Sequence, residues 1–173
     1  EQEAAMGKGL EAFQKAIEVK PDDAAYYNNY ALALAKAKKF DEAQAALTKA
    51  AELDPPNAGR YFYNLGAVLT NIGQLEPAGQ AFKKAIDADP NYADAQYQYG
   101  VYLSSKIQTT PDGKMVPPDG MQQAFEAYLK LKPDGPFAES AKGFLAAVQS
   151  TVQTEYKNPN APAPAAKKTG RKK

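Results

Sequence analysis

The sequence of 173 residues contains no cysteine, no histidine and no tryptophan. It therefore has no thiol nucleophile, no imidazole base, no disulfide and none of the usual zinc ligands. An enzyme would have to work with carboxylates and tyrosines alone, and no acidic pair stands apart from the charges of solvated helix faces. The sequence predicts a protein that is not an enzyme and that uses neither a metal nor a cofactor.

Long apolar runs are also missing, since no stretch of about eighteen apolar residues is present to form a membrane span. The first residues lack the basic and apolar pattern of a signal peptide. Because the sequence begins at Glu1 and not at a methionine, we expect it to be a segment of a longer chain. These residues do not determine the compartment in which the protein works.

Charge is unevenly distributed, although the formal net charge is only +1. Residues 158–173 carry five basic side chains and no acid, which leaves a net charge of −4 for the rest. This segment is rich in proline, alanine and lysine without apolar periodicity, so we expect a disordered basic tail. A mildly acidic body lacks the clustered basic face that nucleic acid requires, so no nucleic acid partner is expected.

The central stretch, residues 59–92, combines two helical periodicities with a closing proline. Apolar and small residues recur every three or four positions in each half, which is the pattern of a helix that buries one face. A proline then ends the second helix. The positions that define the pattern are a Leu-Gly pair, a later alanine, an aromatic, another alanine and the proline, namely Leu65, Gly66, Ala78, Phe82, Ala85 and Pro90.

The same pattern recurs before and after this stretch. Pro21, Pro55 and Pro90 are separated by 34 and 35 residues, which predicts a repeat of that length. We expect one domain, residues 1–157, followed by the tail. Its parts are a half repeat at 1–21, full repeats at 24–57 and 59–92, a third repeat at 93–135 with an insert at about 104–120, and a capping helix at 136–157.

These spacings and residue types resemble the tetratricopeptide repeat family, whose unit is a helix-turn-helix of about 34 residues. The resemblance covers roughly residues 7–133 and is most specific in 59–90. It implies an all-α fold, a right-handed α-solenoid of helix-turn-helix repeats with a C-terminal capping helix. Ala31 stands in place of glycine, and Met121 and Tyr128 stand in place of small alanines. We expect the two larger side chains to loosen or shift the helix packing in the third repeat.

The resemblance also implies a function. Members of the family are scaffolds that hold an extended peptide or a partner's helix in a concave groove lined by the first helix of each repeat. We therefore expect a non-enzymatic interaction module with a protein or peptide partner. Carried over by register, the peptide-binding residues are Asn28, Asn29, Leu32, Lys36, Arg60, Tyr63, Asn64, Ala67, Asn71, Asp94, Tyr97, Gln98 and Val101.

Amides are prominent in this predicted groove. Each Asn or Gln side chain both donates and accepts a hydrogen bond, which suits a peptide backbone whose side chains are not read. Tyr63 and Tyr97 would add apolar area with a polar tip. Since one neutral hydrogen bond contributes about 1 kcal/mol net, affinity would come from several together. The alternative is that the asparagines are ordinary solvated surface and that the tyrosines pack between helices.

One subset of the family grips the C-terminal carboxylate of heat-shock chaperones with lysine, asparagine and arginine side chains. Only Asn64 matches that clamp here. Asn28 and Leu32 stand where the clamp has lysine and asparagine, and Asp94 places a negative charge where a cation is needed. We therefore expect that such a carboxylate is not the ligand.

The insert contains three prolines and two Asp-Gly pairs, which demand turns and exclude a continuous helix. One interpretation is a surface excursion, because closing a longer loop costs little extra free energy. The other is a functional element in which Lys114, Met115 and Val116 cover one edge of the groove.

A structural function is the alternative to peptide binding. The half repeat would let the chain self-associate or pack against neighbouring domains of a larger protein. The segment YLKLKPDGPFAESAK also resembles repeats of bacterial proteins, many of them exported.

Overall fold

The structure is a computed structural model that describes residues 2–111, 113 and 115–154. The predicted tail, the last three residues of the predicted capping helix, and Lys114 lie outside these residues. The described part of the chain forms eight α-helices, a 3₁₀ turn at Pro55–Asn57 and two short strands. The helices are α1 (Gln2–Val19), α2 (Ala24–Lys36), α3 (Phe40–Leu53), α4 (Ala58–Asn71), α5 (Leu75–Ala88), α6 (Ala93–Ser104), α7 (Met121–Leu131) and α8 (Ala138–Thr154), and the strands are β1 (Gln108–Thr109) and β2 (Met115–Val116).

The helices stack in chain order. Each helix packs against the helix before it and the helix after it, from α1 to α8. Three helix-turn-helix units result, made by α2 and α3, by α4 and α5, and by α6 and α7, with α1 before them and α8 after them. Because the packing runs between neighbours along the chain, the architecture is an α-solenoid. The predicted fold class is confirmed.

Prolines end the second helix of each unit. Asp54, Asp89 and Lys132 each precede a proline and leave the helical region, with φ angles of −134°, −141° and −138°. The helical conformation is disfavoured for a residue before proline, because the proline Cδ clashes with its backbone. Each N–H still donates to the carbonyl four residues earlier, at 2.8 to 3.1 Å. The helix is therefore closed before the chain turns.

The turns inside the first two units share one geometry. Lys39 and Gln74 each donate their N–H to the carbonyl five residues earlier, at 2.9 Å. This bond requires the preceding residue to be left-handed. Gly73 has a φ of 76° there, and Lys38 has a φ of 60° at the equivalent position of the first unit. The first turn thus places a residue with a side chain in a conformation that suits glycine.

Small residues on the first helices make room for large residues on the second. The Phe82 ring lies so close to Gly66 that an added Cβ would meet ring atoms at 2.5 to 2.8 Å. Phe125 covers Gly100 in the same way, with an added Cβ at 2.9 Å. Helices can cross closely only where such sizes are complementary. The recurring glycine of the sequence pattern, Gly66 and Gly100, therefore marks the places where the two helices of a unit meet.

The larger side chains of the third unit are fully buried, and the expected loosening or shift of its helix packing stays a prediction. Met121, Phe125 and Tyr128 have no exposed area. The Tyr128 hydroxyl accepts a hydrogen bond from the N–H of Phe137 at 3.0 Å. Its ring packs beside Tyr97 and Phe137, with centroids 5.4 and 6.0 Å apart. The larger side chains enlarge the core, and the enlarged core holds α8 against the third unit.

The insert forms a β-hairpin. β1 pairs antiparallel with β2, with Gln108 opposite Val116 and Thr109 opposite Met115. β2 lies against α8, and Ile107, just before β1, packs on the core of the third unit. The sequence predicts the turns but not the pairing, because strands of two residues are too short to show an alternating pattern.

Within the described residues, no helix combines the length and the apolar character needed to pass through a membrane. The same part of the chain contains no cluster of three or more acidic side chains that could hold a metal ion.

Candidate functional site

A pocket of about 370 Å³ opens between α2 and α4, and we call it the first pocket. Its volume lies within the range of ligand-binding pockets. The lining residues are Leu32, Ala35, Lys36, Phe40, Asn64, Ala67, Val68 and Asn71. Five of the predicted groove residues are among them, so the structure brings these five side chains together.

The first pocket has an apolar interior and a polar rim. Val68 is buried, and Phe40 and Ala67 are half-buried. Lys36 and Asn71 are exposed. This distribution lets the pocket bury an apolar side chain while polar groups around it remain free to meet a backbone or a charge.

A second pocket repeats this arrangement one unit further on, between α4 and α6. Its volume is only about 120 Å³. Tyr102 stands there in place of Val68, and its ring fills space beside Gly79, where an added Cβ would meet it at 2.5 Å. The lining residues are Thr70, Leu75, Ala78, Phe82, Gln98, Val101, Tyr102 and Ser105. Two further predicted groove residues, Gln98 and Val101, therefore lie in the second pocket.

Hydrogen bonds fix the edge of the second pocket. Glu76 accepts one from the Tyr102 hydroxyl at 2.7 Å and another from Lys106. The bond from Lys106, with that from Tyr102, holds the pKa of Glu76 below its usual value. The bond to Glu76 raises the pKa of Tyr102 to about 12. At neutral pH the tyrosine keeps its proton and the carboxylate keeps its charge.

An amide bridge joins α2 to α4 beside the first pocket. Asn64 donates its Nδ2 hydrogen to Oδ1 of Asn28 at 2.8 Å, and Asn28 donates to Oδ1 of Asn29 at 3.2 Å. Asn28 and Asn64 are half-buried, and Asn29 is exposed. Because an amide can make more than one hydrogen bond, these side chains can also bond to a peptide laid across them.

Tyr63 belongs to a cluster of rings and charges. Its ring packs edge-on against Tyr92, with centroids 5.0 Å apart. Lys132 Nζ donates to Asp94 at 2.9 Å, and this bond raises the pKa of Lys132. Burial raises the pKa of Tyr92 to about 12 and also raises the pKa of Tyr63, and the Asp94 charge adds to both shifts. At neutral pH the cluster holds two neutral hydroxyls beside a closed ion pair.

Two predicted groove residues are engaged elsewhere. Tyr97 is 9% exposed, and its ring stacks on Phe137 with centroids 4.4 Å apart. Arg60 donates to the Tyr61 hydroxyl at 3.3 Å and lies over the Tyr61 ring. Tyr61 in turn donates to Asp54 at 3.0 Å. Tyr97 therefore packs the core that holds α8, and Arg60 contacts side chains at the turn between α3 and α4.

Phe40, Leu75 and Lys132 belong to the site although the sequence analysis does not include them. Phe40 and Leu75 occupy the first position of α3 and of α5, 35 residues apart. This recurrence of an apolar residue at a helix start is a signal that the sequence offers. The sequence offers no such signal for Lys132, because its partner Asp94 lies 38 residues away in the chain.

The fold and the site together define a class of protein. Helix-turn-helix units stack in chain order, with apolar pockets at two successive positions along the stack and amide side chains among their lining. This is the organisation of a protein-interaction scaffold built from repeats.

Comparison with known proteins identifies the family. Two tetratricopeptide repeat models match the chain, over residues 34–93 and 12–45. Small glutamine-rich tetratricopeptide repeat-containing protein 2 of Mycosarcoma maydis is 32% identical over 85 residues, which are 49% of this chain and 24% of that protein. The chain belongs to the tetratricopeptide repeat family. The matched stretch spans about a quarter or less of the length of the curated relatives it matches.

Solved structures share the fold at low sequence identity. MamA aligns with a TM-score of 0.58 and 19% identity, over 92% of this chain and 94% of that one. The first tetratricopeptide repeat domain of Spaghetti (RPAP3), bound to the HSP90 peptide SRMEEVD, aligns with a TM-score of 0.55 and 17% identity, over 78% of this chain and 94% of that one. At these identities the likeness establishes the fold alone.

Proposed function

We propose that this chain is a non-enzymatic scaffold that binds a segment of a partner protein, either extended or helical, in the groove formed by α2, α4 and α6. The observation that carries the proposal is the first pocket, where predicted groove residues from two helices line one apolar cavity of about 370 Å³. The family supports a role in protein interaction, and the RPAP3 domain holds a peptide.

The pocket and the amides have separate tasks in this proposal. Phe40 and Ala67 contact an apolar side chain of the partner, and burial of that side chain supplies most of the affinity. Asn28 and Asn64 bond to the partner's backbone and set its direction across the groove. Lys36, exposed at the rim, attracts an acidic group.

A charged side chain in the first pocket should weaken binding strongly. Ala67→Arg fills the cavity and buries a cation beside the partner, which we expect to weaken binding at least about tenfold, since an unpaired buried charge costs several kcal/mol. Affinity purification with mass spectrometry on the intact chain and on Ala67→Arg identifies the partners that are lost. Calorimetry with a peptide from each lost partner then measures the change in affinity.

Ala45→Arg is the matched control, because Ala45 is exposed on α3, among the residues Asp41, Gln44 and Thr48, away from the groove. The double variant Tyr63→Ala/Asn64→Ala removes a ring and an amide and should weaken the binding of the same partners. Equal retention by Ala67→Arg and Ala45→Arg, with unchanged melting temperatures, would contradict the proposal.

The HSP90 peptide SRMEEVD should not bind this chain. Asn28 and Leu32 replace two clamp side chains, and Asp94, paired with Lys132 at 2.9 Å, stands where the clamp needs a cation. Calorimetry should detect no binding at micromolar concentrations of the peptide. The variant Asn28→Lys/Leu32→Asn/Asp94→Lys restores the clamp chemistry and serves as the positive control, with tighter binding expected. Micromolar affinity of the unaltered chain would contradict this prediction.

Self-association is the second candidate function, and the single helix α1 favours it. In the described residues α1 packs on α2 and has no first helix of its own unit beside it. In this candidate function, a second copy of the chain or a neighbouring domain of a larger protein packs against α1. Light scattering at increasing protein concentration separates the two candidates, since a mass that rises with concentration indicates assembly and a constant mass excludes it.

A further inference from the structure

The repeat register gives α8 the place of a first helix beside α6. Equivalent residues of α6 and α8 are 43 positions apart, which is one repeat of 34 residues plus the nine residues of the insert. A third pocket would therefore lie between α6 and α8, a place that we call the third junction. The α8 residues at the register of Val101, Tyr102 and Ser105 are Phe144, Leu145 and Val148.

The third junction is closed, in contrast to the first two. Val148 is 9% exposed, whereas Asn71 and Ser105, at the same register, are exposed. The Phe144 ring stacks on Phe125 with centroids 4.7 Å apart. The residue at the register of Phe144 in the first pocket is only an alanine, Ala67. A larger side chain therefore fills the junction from the α8 side.

The hairpin lies over the same place. β2 lies against α8, and Ile107 packs on the core cluster that includes Val148. Met115, on β2, is half-buried. The hairpin thus lies beside α8, and Ile107 next to it adds an aliphatic side chain to the same core.

We propose that the β-hairpin covers the third junction, so that the groove open to a partner ends at the second pocket. A partner segment then has two pockets to fill, of about 370 and 120 Å³. The first pocket takes a large apolar side chain and the second pocket takes a small one. This assignment of the ligand rests on the proposed function, whereas closure by the hairpin does not.

Thiol labelling tests the closure, since the chain has no cysteine of its own. Val148→Cys, Asn71→Cys and Ser105→Cys are made separately in the full chain and treated with Ellman's reagent. A protected site reacts only when the structure opens locally, so we expect the thiol at position 148 to react at least about tenfold more slowly than the other two. Deleting residues 109–117 restores the regular repeat length and should bring all three rates to within about threefold of one another.

Met115→Ser is the second variant, in case the deletion prevents folding, and circular dichroism reports the fold of each protein. It exchanges the half-buried aliphatic side chain of β2 for a small polar one and should speed labelling at position 148 while leaving position 71 unchanged. Fast labelling at position 148 in the intact hairpin protein overturns the proposal. Slow labelling that persists in both hairpin variants also overturns it, because other helices would then provide the cover. The labelling needs no partner, so its outcome is independent of whether a peptide binds the groove.

Discussion

Gly66→Ala should destabilise the chain by about 1–2 kcal/mol. The added Cβ would meet the Phe82 ring at 2.5 to 2.8 Å, and this ring is 3% exposed and has little room to move. Inserting a methyl group into a packed core costs about 1–3 kcal/mol. The higher helix propensity of alanine returns at most about 1 kcal/mol. Urea denaturation measures this difference in the free energy of unfolding as a lower midpoint concentration with an unchanged m value.

The first unit offers a rescue for this variant. Ala31 and Leu47 stand at the registers of Gly66 and Phe82, and both are completely buried. Gly66→Ala/Phe82→Leu copies that pair, so we expect the double variant to be more stable than the sum of the single changes predicts, with a coupling of about 1–3 kcal/mol. Additive effects, or a stabilising Gly66→Ala, would show that the ring yields to the methyl group without cost.

Tyr128→Ala should have the larger effect and should release α8. Tyr128 has no exposed area, and replacing a buried aromatic by alanine costs about 3–5 kcal/mol. Its hydroxyl also accepts the bond from the Phe137 N–H. Tyr128→Phe removes that acceptor and should cost about 1 kcal/mol. Hydrogen exchange should show the loss of protection concentrated in α8, because contacts in a solenoid are local.

Tyr102→Phe is the control for this series. It also removes a hydroxyl with a hydrogen bond, but that bond leads to Glu76 at the surface. Its exchange pattern in α8 should match that of the unaltered chain. If Tyr128→Ala lowered the protection of α2 and α3 as much as that of α8, the chain would unfold as one cooperative unit and the prediction would be wrong.

The sequence predicts the repeats well because each helix boundary has a local cause. The prolines after Asp54, Asp89 and Lys132 end helices through a steric clash within the dipeptide. Gly66 and Gly100 mark close helix crossings through size alone. These effects need no knowledge of distant residues, so the fold class and the family could be identified before the structure was known.

The groove is harder to predict, because register fixes which helix face a residue occupies but not what covers that face. Tyr97 has the register of a groove residue, yet Phe137 from a later segment stacks on it. Arg60 donates a hydrogen bond to Tyr61, which in turn donates to Asp54, and the repeat pattern does not encode either bond. The predicted groove residues stay predictions until their effect on the binding of a partner is measured.

The left-handed Lys38 bears on the order in which the units form. A residue with a side chain disfavours this conformation by about 1 kcal/mol or more, whereas Gly73 adopts it freely in the second unit. The turn of the second unit can therefore form from its own residues, but that of the first must be imposed by contacts already made between α2 and α3. We expect the second unit, α4 and α5, to nucleate folding. The first unit should then fold against it.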